Sequence, residues 1–309
     1  MSKRRRKARS INQLVGNRGS ERGLSRNDAF TAYVMDRLLY RIGRSKHAKE
    51  FYLKGGILVA NLVGSPHRFT RDIDLLRRHG RPSPDDLRDM FRDIVAVIAD
   101  DGITFAARDV RAVESDHDDD GYDGVKVFVR ALVEKRNLDI RIDIGFGDAV
   151  VPPASRMSLT PFLDDDEPAA VLAYDAHPVI AEKVETLLSK FPVVLHRLKD
   201  ILDVVTLSKA QRFAGADLAD SLRATLERRS TEPDTRVLDD MSEVVGDRKW
   251  ETAWASMLRE KAVVDPMELA AAIDELDRFI RPILLALSGD VVVPDIWEDG
   301  GPWQSRSEM

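Results

Sequence analysis

The chain has 309 residues, which predicts two domains at about 150 residues each. With 43% apolar and 32% charged residues it can bury a core, and the absence of cysteine excludes a disulfide scaffold, thiolate zinc sites and thiol nucleophiles. A net charge of −6 excludes a surface that binds polyanions throughout, so we expect any contact with nucleic acid to come from local basic patches.

The first 24 residues are basic, with eight lysines and arginines against one glutamate, and we interpret them as a flexible arm. Without this arm the rest of the chain has a net charge of −13. The arm lacks the apolar segment of a secretory signal, and no run in the chain approaches the roughly 20 apolar residues of a membrane span. We therefore expect a cytoplasmic protein with no membrane partner.

Residues 25–152 alternate between helical and strand patterns. Ser25 and Asp28 form a capping-box pattern before the first apolar periodicity, and Ser83 with Pro84 has the composition of a second helix start. The predicted elements are helices at 26–43, 57–62 and 83–99, and strands at 50–54, 72–76, 103–112, 125–133 and 138–146. This order predicts an α+β domain whose mixed sheet carries helices on one side.

The pattern changes after Pro152 and Pro153. An acidic linker is predicted over 153–176, and apolar residues at helical spacing then predict a helical domain over 177–288. The remaining residues, 289–309, are predicted to form an irregular tail whose two tryptophans, Trp297 and Trp303, are candidates to pack back against the body of the protein.

The strongest chemical signal is the pair Asp72 and Asp74, one residue apart on a predicted strand. Because strand side chains alternate between faces, both carboxylates project from the same face, where a shared cation would relieve their repulsion. This predicts a divalent metal site. The alternative is that the two acids decorate a strand that faces solvent.

The sequence before these acids suits a phosphate group. Lys54, Gly55 and Gly56 end one strand and open a short helix, where backbone amides and a nearby lysine favour bound phosphate. Arg68, Thr70 and Arg71 precede the acids and are candidates for charge-assisted contacts with a nucleotide. Phosphate amides followed by paired metal carboxylates are the groups that a nucleotidyl transfer requires.

A third carboxylate is predicted on the strand at 138–146. Asp139, Arg141 and Asp143 share one face of this strand, and isoleucines occupy the other face. Asp143 is the preferred metal ligand and Asp139 the second choice. An ordinary polar strand face explains the pattern equally well.

Four motifs in order resemble the AbiEii family of nucleotidyltransferase toxins, to which the MenT-type enzymes belong. They span about residues 50–210 and read Lys54-Gly-Gly, Arg68-Phe-Thr-Arg-Asp-Ile-Asp74, Ala181-Glu-Lys-Val-Glu-Thr-Leu-Leu188 and Arg197-Leu-Lys-Asp-Ile-Leu-Asp203. The resemblance implies a polymerase-β-like nucleotidyltransferase domain over 25–152, a helical C-terminal domain, Mg²⁺ and a nucleoside triphosphate.

The resemblance also implies roles for individual residues. Gly55 and Gly56 would hold the triphosphate, and Asp72 and Asp74 would bind the metal. Lys183 would reach the phosphates, and Asp200 would position or deprotonate the acceptor hydroxyl. From the residues alone, a solvated charge at the edge of an amphipathic helix is the more common explanation for Lys183. Ordinary intrahelical pairing equally explains the i, i+3, i+6 spacing of Arg197, Asp200 and Asp203.

By this resemblance the activity would be transfer of a nucleoside monophosphate, preferably a pyrimidine nucleotide, to the 3′ end of tRNA, which blocks aminoacylation. The partner would be an antitoxin with a DNA-binding domain. Nucleotidylation of a protein hydroxyl, or a non-catalytic nucleic-acid-binding module, are the alternatives. An RNA acceptor would need a basic patch from the arm or from Arg68, Arg71, Arg77 and Arg78.

Overall fold

The computed structural model describes residues 3–64, 68–115, 124–192 and 195–304, with the side chains of residues 3–10 and of residue 196 left out of the description. The chain divides into two compact units. Unit 1 consists of Met1–Asn61, Phe69–Asp148 and Ser155–Ala173, and unit 2 of Leu62–Arg68, Ala149–Ala154 and Tyr174–Met309.

Unit 1 is built on a mixed sheet with helices. Its helices are α1 (Lys3–Glu21), α2 (Arg26–Arg44), α3 (Gly55–Val63, whose last two residues fall in unit 2) and α4 (Pro84–Val95). Its strands are β1 (Phe51–Lys54), β2 (Asp72–Arg77), β3 (Ile103–Phe105), β4 (Arg111–Glu114), β5 (Gly124–Val133), β6 (Arg136–Phe146), β7 (Ser155–Ser158) and β8 (Ala170–Ala173). A 3₁₀ turn at Ala107–Asp109 separates β3 from β4.

The strands pair in the order β3-β5-β6-β2-β1-β8-β7, and β4 also pairs with β5. β2 runs parallel to β6, and β1 runs parallel to β8, whereas β1 and β2 are antiparallel. The sheet is therefore mixed, as the sequence predicts.

The core of unit 1 lies against one face of this sheet. On β6 the buried residues Ile140, Ile142 and Ile144 alternate with more exposed polar residues, as the two-residue period of a strand requires. α2 and α4 pack on the sheet and bury Tyr33 and Phe91. The opposite face of β6 is left to Asp139, Arg141 and Asp143.

Both predicted helix starts are confirmed. The Ser25 hydroxyl accepts the backbone N–H of Asp28 at the start of α2. At α4, Ser83 and Asp86 form a reciprocal capping box in which Asp86 also accepts the Ser83 backbone N–H at 3.1 Å. These caps satisfy amides that a helix cannot pair internally, and so fix where α2 and α4 begin.

Three segments differ from the sequence-based expectation. The single strand predicted over 103–112 is divided by the 3₁₀ turn at Ala107–Asp109 into β3 and β4. Most of the predicted flexible arm is helix α1, whose Ile11 and Val15 are buried and which contacts α2. The predicted linker contains β7 and β8, which extend the sheet beyond β1. Neither α1 nor the pair β7 and β8 has a clear signature in the sequence, because two apolar residues in a basic helix and two four-residue strands produce little periodicity.

Unit 2 is mainly helical. Its helices are α5 (Ala176–Lys190), α6 (Leu198–Ala210), α7 (Gly215–Arg229), α8 (Arg236–Glu243), α9 (Arg248–Glu260) and α10 (Leu269–Ser288). α5 packs against α6 and α7, and α10 packs against α6, α7 and α8. Among the residues that the structure describes, no helix is long and apolar enough to cross a membrane.

The predicted tail folds onto unit 2. Three two-residue strands form a small sheet in the order β11-β10-β9, with β9 at Phe213–Ala214, β10 at Ile296–Trp297 and β11 at Trp303–Gln304. The buried indole of Trp297 donates to the Ser208 carbonyl at 2.8 Å, and Trp303 donates to the Phe279 carbonyl at 2.9 Å. These bonds satisfy both indole N–H groups while the rings add apolar contact.

Candidate active site

Strand pairing brings four predicted site residues of unit 1 together in two neighbouring rows of the sheet. Lys54 on β1 pairs with Asp74 on β2, and Asp74 pairs with Asp143 on β6. In the next row on the same face, Asp72 pairs with Arg141. Neighbouring strands are about 4.8 Å apart, so three carboxylates and two cations crowd a small area of the sheet.

Gly55 is required where β1 turns into α3. Its φ of +70° is a left-handed conformation that glycine adopts without strain, and a Cβ built there would lie 1.9 Å from Asp74 Oδ2. Gly56 is buried in the first turn of α3. The glycines therefore allow Asp74 to pack against the start of a helix, where the amides lack intrahelical partners and favour an anion.

Asp72 is held by two side chains. Thr70 Oγ1 donates to Asp72 Oδ1 at 2.6 Å, and an Arg141 nitrogen donates to Asp72 Oδ2 at 2.5 Å. Arg141 Nε also lies 3.2 Å from Asp143 Oδ2. Burial by itself lowers the pKa of Arg141, but the carboxylates of Asp143, Asp72 and Asp74 outweigh it, and the net pKa lies above the ordinary value.

Two other predicted nucleotide contacts have partners inside unit 1. Lys54 Nζ donates to Asp148 Oδ2 at 2.7 Å, and the small Gly145 lies beside this pair, since a Cβ there would come within 3.7 Å of both atoms. Arg71 is half-exposed, lies 3.2 Å from Asp28 and covers the ring of Phe69.

The donor set suits a hard divalent cation. Asp72, Asp74 and Asp143 offer carboxylate oxygens, which Mg²⁺ prefers, and the Arg141 guanidinium supplies a positive charge between two of them. As these side chains stand, however, the three acids are not gathered around a common point: within the described ranges no group of three or more histidine, cysteine, aspartate or glutamate residues is arranged to hold a metal ion, and Arg141 pairs with two of the three acids. Asp139, the second choice for a metal ligand, instead makes a bidentate pair with Arg130 at 2.8 and 3.1 Å.

Unit 2 contains a second charged cluster, which we call the buried ion network: Arg68, Lys183, Arg197, Asp200 and Asp203. Lys183 Nζ lies 2.7 Å from Asp200 Oδ1 and 2.6 Å from Asp203 Oδ2. Arg68 makes a bidentate pair with Asp203 at 2.6 and 2.7 Å, and Arg197 lies 3.6 Å from Asp200. The Asp203 side chain is completely buried.

The charges of this network are mutually stabilised. Burial by itself lowers the pKa of Lys183, but Asp200 and Asp203 outweigh it, and its pKa lies above the usual range for lysine. Burial likewise raises the pKa of Asp200, but Lys183, Lys199 and Arg197 outweigh it, and its pKa is lowered. At neutral pH Lys183 is therefore a permanent cation and Asp200 a permanent anion.

The family model of the nucleotidyl transferase AbiEii toxin, type IV toxin–antitoxin system, matches residues 37–278, well over half of the chain. The chain belongs to the AbiEii family. It is accordingly a nucleotidyltransferase, as the ordered motifs predict. No curated protein matches the sequence.

Solved structures resemble this AbiEii-family protein at low sequence identity. MenT4, a nucleotidyltransferase toxin from Mycobacterium tuberculosis H37Rv, is 16% identical with a TM-score of 0.53 and covers 89% of this chain and 98% of its own. At this identity the likeness concerns the fold, and it supports the predicted α+β architecture. Two structures from Helicobacter pylori are also similar, each with a TM-score of 0.49. JHP933 is 15% identical and covers 86% of this chain and 95% of its own. A putative nucleotidyltransferase is 14% identical and covers 86% of this chain and 98% of its own.

Several partners of the candidate site residues are brought close only by strand pairing and by packing within unit 2. Arg141 lies 3.2 Å from Asp143, and Asp148 pairs with Lys54. Asp203 joins Lys183 to Arg68. None of these pairs is predicted from the sequence. For Arg141 the sequence does contain a signal, because the alternation of Asp139, Arg141 and Asp143 along the strand places it on the same face as the two acids. The prediction that Arg68 and Arg77 contribute to a basic surface patch is wrong. Their side chains are only 4% and 13% exposed, and each pairs with an acid.

Proposed function

We propose that this AbiEii-family nucleotidyltransferase is a Mg²⁺-dependent toxin that transfers a nucleoside monophosphate, preferably a pyrimidine nucleotide, to the 3′ end of tRNA. One observation carries the assignment of the site: Asp72 and Asp74 share a face of β2, and Asp74 packs against the Gly55 turn that opens α3. Two carboxylates suited to a cation, beside the amides at a helix start, match the charged triphosphate of a nucleoside triphosphate and the metal that accompanies it.

The reaction is attack of an acceptor hydroxyl oxygen on the α-phosphorus of the triphosphate. The new oxygen–phosphorus bond forms as the bond to the β-phosphate oxygen breaks, pyrophosphate leaves with the electron pair, and the hydroxyl proton passes to a base or to solvent. Mg²⁺, when bound by Asp72, Asp74 and Asp143, supplies charge neutralisation for the phosphates and the attacking oxygen. Lys54 and the amides of Gly55 and Gly56 bind and orient the phosphates.

The family motifs assign Lys183 to the donor phosphates and Asp200 to the acceptor. The raised pKa of Lys183 suits a fixed cation that stabilises phosphate charge and argues against a proton-transfer role. The lowered pKa of Asp200 makes it a weak base, so of the two roles considered for it, positioning is favoured over deprotonation. Arg68 supports this arrangement through Asp203, and its direct contact with the nucleotide stays a prediction.

The proposed acceptor and the DNA-binding type of the antitoxin rest on the resemblance to the MenT-type enzymes. A type IV toxin–antitoxin family implies a cognate antitoxin, and we propose the DNA-binding type. With a tRNA acceptor we propose a cytoplasmic protein whose products are pyrophosphate and a tRNA that carries an added nucleotide at its 3′ end and can no longer be aminoacylated. The basic residues at 3–9, which precede the buried part of α1, are the proposed electrostatic contact with this polyanion.

The test is to incubate the purified protein with tRNA, Mg²⁺ and each of four α-labelled nucleoside triphosphates, followed by mass analysis of the RNA 3′ end. We expect label on tRNA with a pyrimidine triphosphate, and its loss in Asp74→Asn. Asp139→Asn, an acid of the same sheet face outside the site, is the matched control and retains transfer. Label on protein in place of RNA would support nucleotidylation of a protein hydroxyl, and no transfer with any donor would refute the proposal.

A further inference from the structure

Arg141 pairs with two of the three carboxylates of the candidate site, those of Asp72 and Asp143. Its guanidinium donates to Asp72 at 2.5 Å and lies 3.2 Å from Asp143, while β2 and β6 set these residues side by side. Its backbone position fixes this placement, because Asp72 pairs directly with Arg141 across the parallel strands. Asp143 is two residues along the same strand and therefore on the same face.

Arg141 thus has a different position from the other arginines of this face. Arg130 pairs with a single acid, Asp139, and both side chains of that pair are about half-exposed at 46% and 55%. Arg141 is as exposed as Arg130, at 45%, but its partner Asp72 is only 23% exposed, and Arg141 contacts two of the three acids proposed to bind the metal. A carboxylate oxygen that accepts from a guanidinium cannot offer the same electron pair to a metal ion.

We propose that Arg141 is a tethered counter-ion of the metal site: its guanidinium neutralises Asp72 and Asp143 until a divalent cation arrives, and it releases these carboxylates when the cation binds. This inference rests on the proposed metal ligands. It makes Arg141 a positioning residue that preserves the carboxylate row in the metal-free protein and lowers the affinity of that row for a bare cation.

Two physical consequences follow from this exchange. Without Arg141, three acids on neighbouring strands repel one another, so the metal-free protein is less stable. The same loss leaves the carboxylates without a competing cation, so a divalent ion binds more tightly. A purely structural ion pair gives the first effect without the second.

The experiment measures Mn²⁺ binding to the full chain, without nucleotide or RNA, by the electron paramagnetic resonance signal of free Mn²⁺. We expect Arg141→Gln to bind Mn²⁺ about tenfold more tightly than the wild type, since one positive charge in direct contact with the ligands is removed. Arg141→Lys retains the charge but loses the bidentate reach, so an intermediate affinity is expected. Arg130→Gln is the matched control and leaves the affinity unchanged.

A second readout is the thermal unfolding temperature with and without Mn²⁺. Arg141→Gln is expected to unfold at a lower temperature without metal and to gain more on Mn²⁺ addition than the wild type. If it does not fold, the same two comparisons are made with Arg141→Lys. Unchanged or weaker Mn²⁺ affinity in the folded Arg141 variant would overturn the proposal.

The result is distinguishable from failure of the proposed function. Tighter Mn²⁺ binding by Arg141→Gln, abolished by adding Asp72→Asn, supports the tethered counter-ion even if tRNA accepts no label. Label transfer to tRNA together with unaltered Mn²⁺ affinity in Arg141→Gln refutes the counter-ion and leaves the proposed function in place.

Discussion

Replacing Gly55 with alanine tests how closely the glycine turn controls the position of Asp74, the proposed catalytic carboxylate. The new Cβ would lie 1.9 Å from Asp74 Oδ2, and relief of this overlap requires the carboxylate to move by about 1.5 Å to reach ordinary contact. A displacement of about 1 Å at a reacting centre can reduce the rate about 100-fold, so we expect at least that loss in nucleotidyl transfer. The alanine also adopts φ near +70°, at a cost of about 1–2 kcal/mol.

Gly80 offers the matched control. It has a nearly identical φ of +69°, and none of the described residues lies within 4 Å of a Cβ built there. Gly80→Ala therefore carries the backbone strain without the collision, and we expect a similar loss of stability in urea unfolding with unchanged transfer. If Gly55→Ala retained transfer within threefold of Gly80→Ala, the position of Asp74 would not depend on the missing side chain.

Three further predictions concern stability. Burial raises the pKa of Asp36 to about 6 from 3.8, so the folded state binds this proton more tightly and its stability falls as the pH rises from about 4 to about 6. Asp36→Asn is expected to gain up to about 3 kcal/mol at pH 7 and to lose this slope in urea unfolding, and an unchanged slope would contradict the assignment. Asp203→Leu removes the carboxylate that accepts both hydrogen bonds of the buried Arg68 and should cost about 3–5 kcal/mol. The double variant with Arg68→Leu should cost less than the sum of the two single variants, and additivity in this double-mutant cycle would argue against their coupling. Trp297→Ala removes a fully buried indole and its bond to Ser208 and should cost about 3–5 kcal/mol in thermal unfolding, and a loss below 1 kcal/mol would show that the tail does not support unit 2.

Local chemistry made parts of the fold predictable from the sequence. The Ser25 and Ser83 caps act within three residues of themselves, and the alternation along β6 depends on strand geometry alone. The paired acids of β2 could be placed on one face for the same reason. Element type and same-face relations are set by short-range sterics and periodicity, which a single sequence displays.

Long-range pairing could not be predicted in the same way. Arg141 and Asp72 are 69 residues apart, and Arg68 and Asp203 are 135 apart. Such pairs depend on the parallel register of β2 on β6, or on helix packing within unit 2, and neither has a local sequence signature. The two short strands in the predicted linker belong to the same class, because β8 exists through its pairing with β1.

The position of β8 beside β1 has a practical consequence for any isolated nucleotidyltransferase fragment. A fragment that ends at residue 152 lacks β7 and β8, so β1 becomes an edge strand with unpaired amides and carbonyls next to the Lys54–Gly55 turn. Exposed edges of this kind pair with other chains, and we expect such a fragment to self-associate through β1, the strand that leads into the proposed phosphate-binding turn. Extending it through Ala173 restores the pairing that keeps this edge closed.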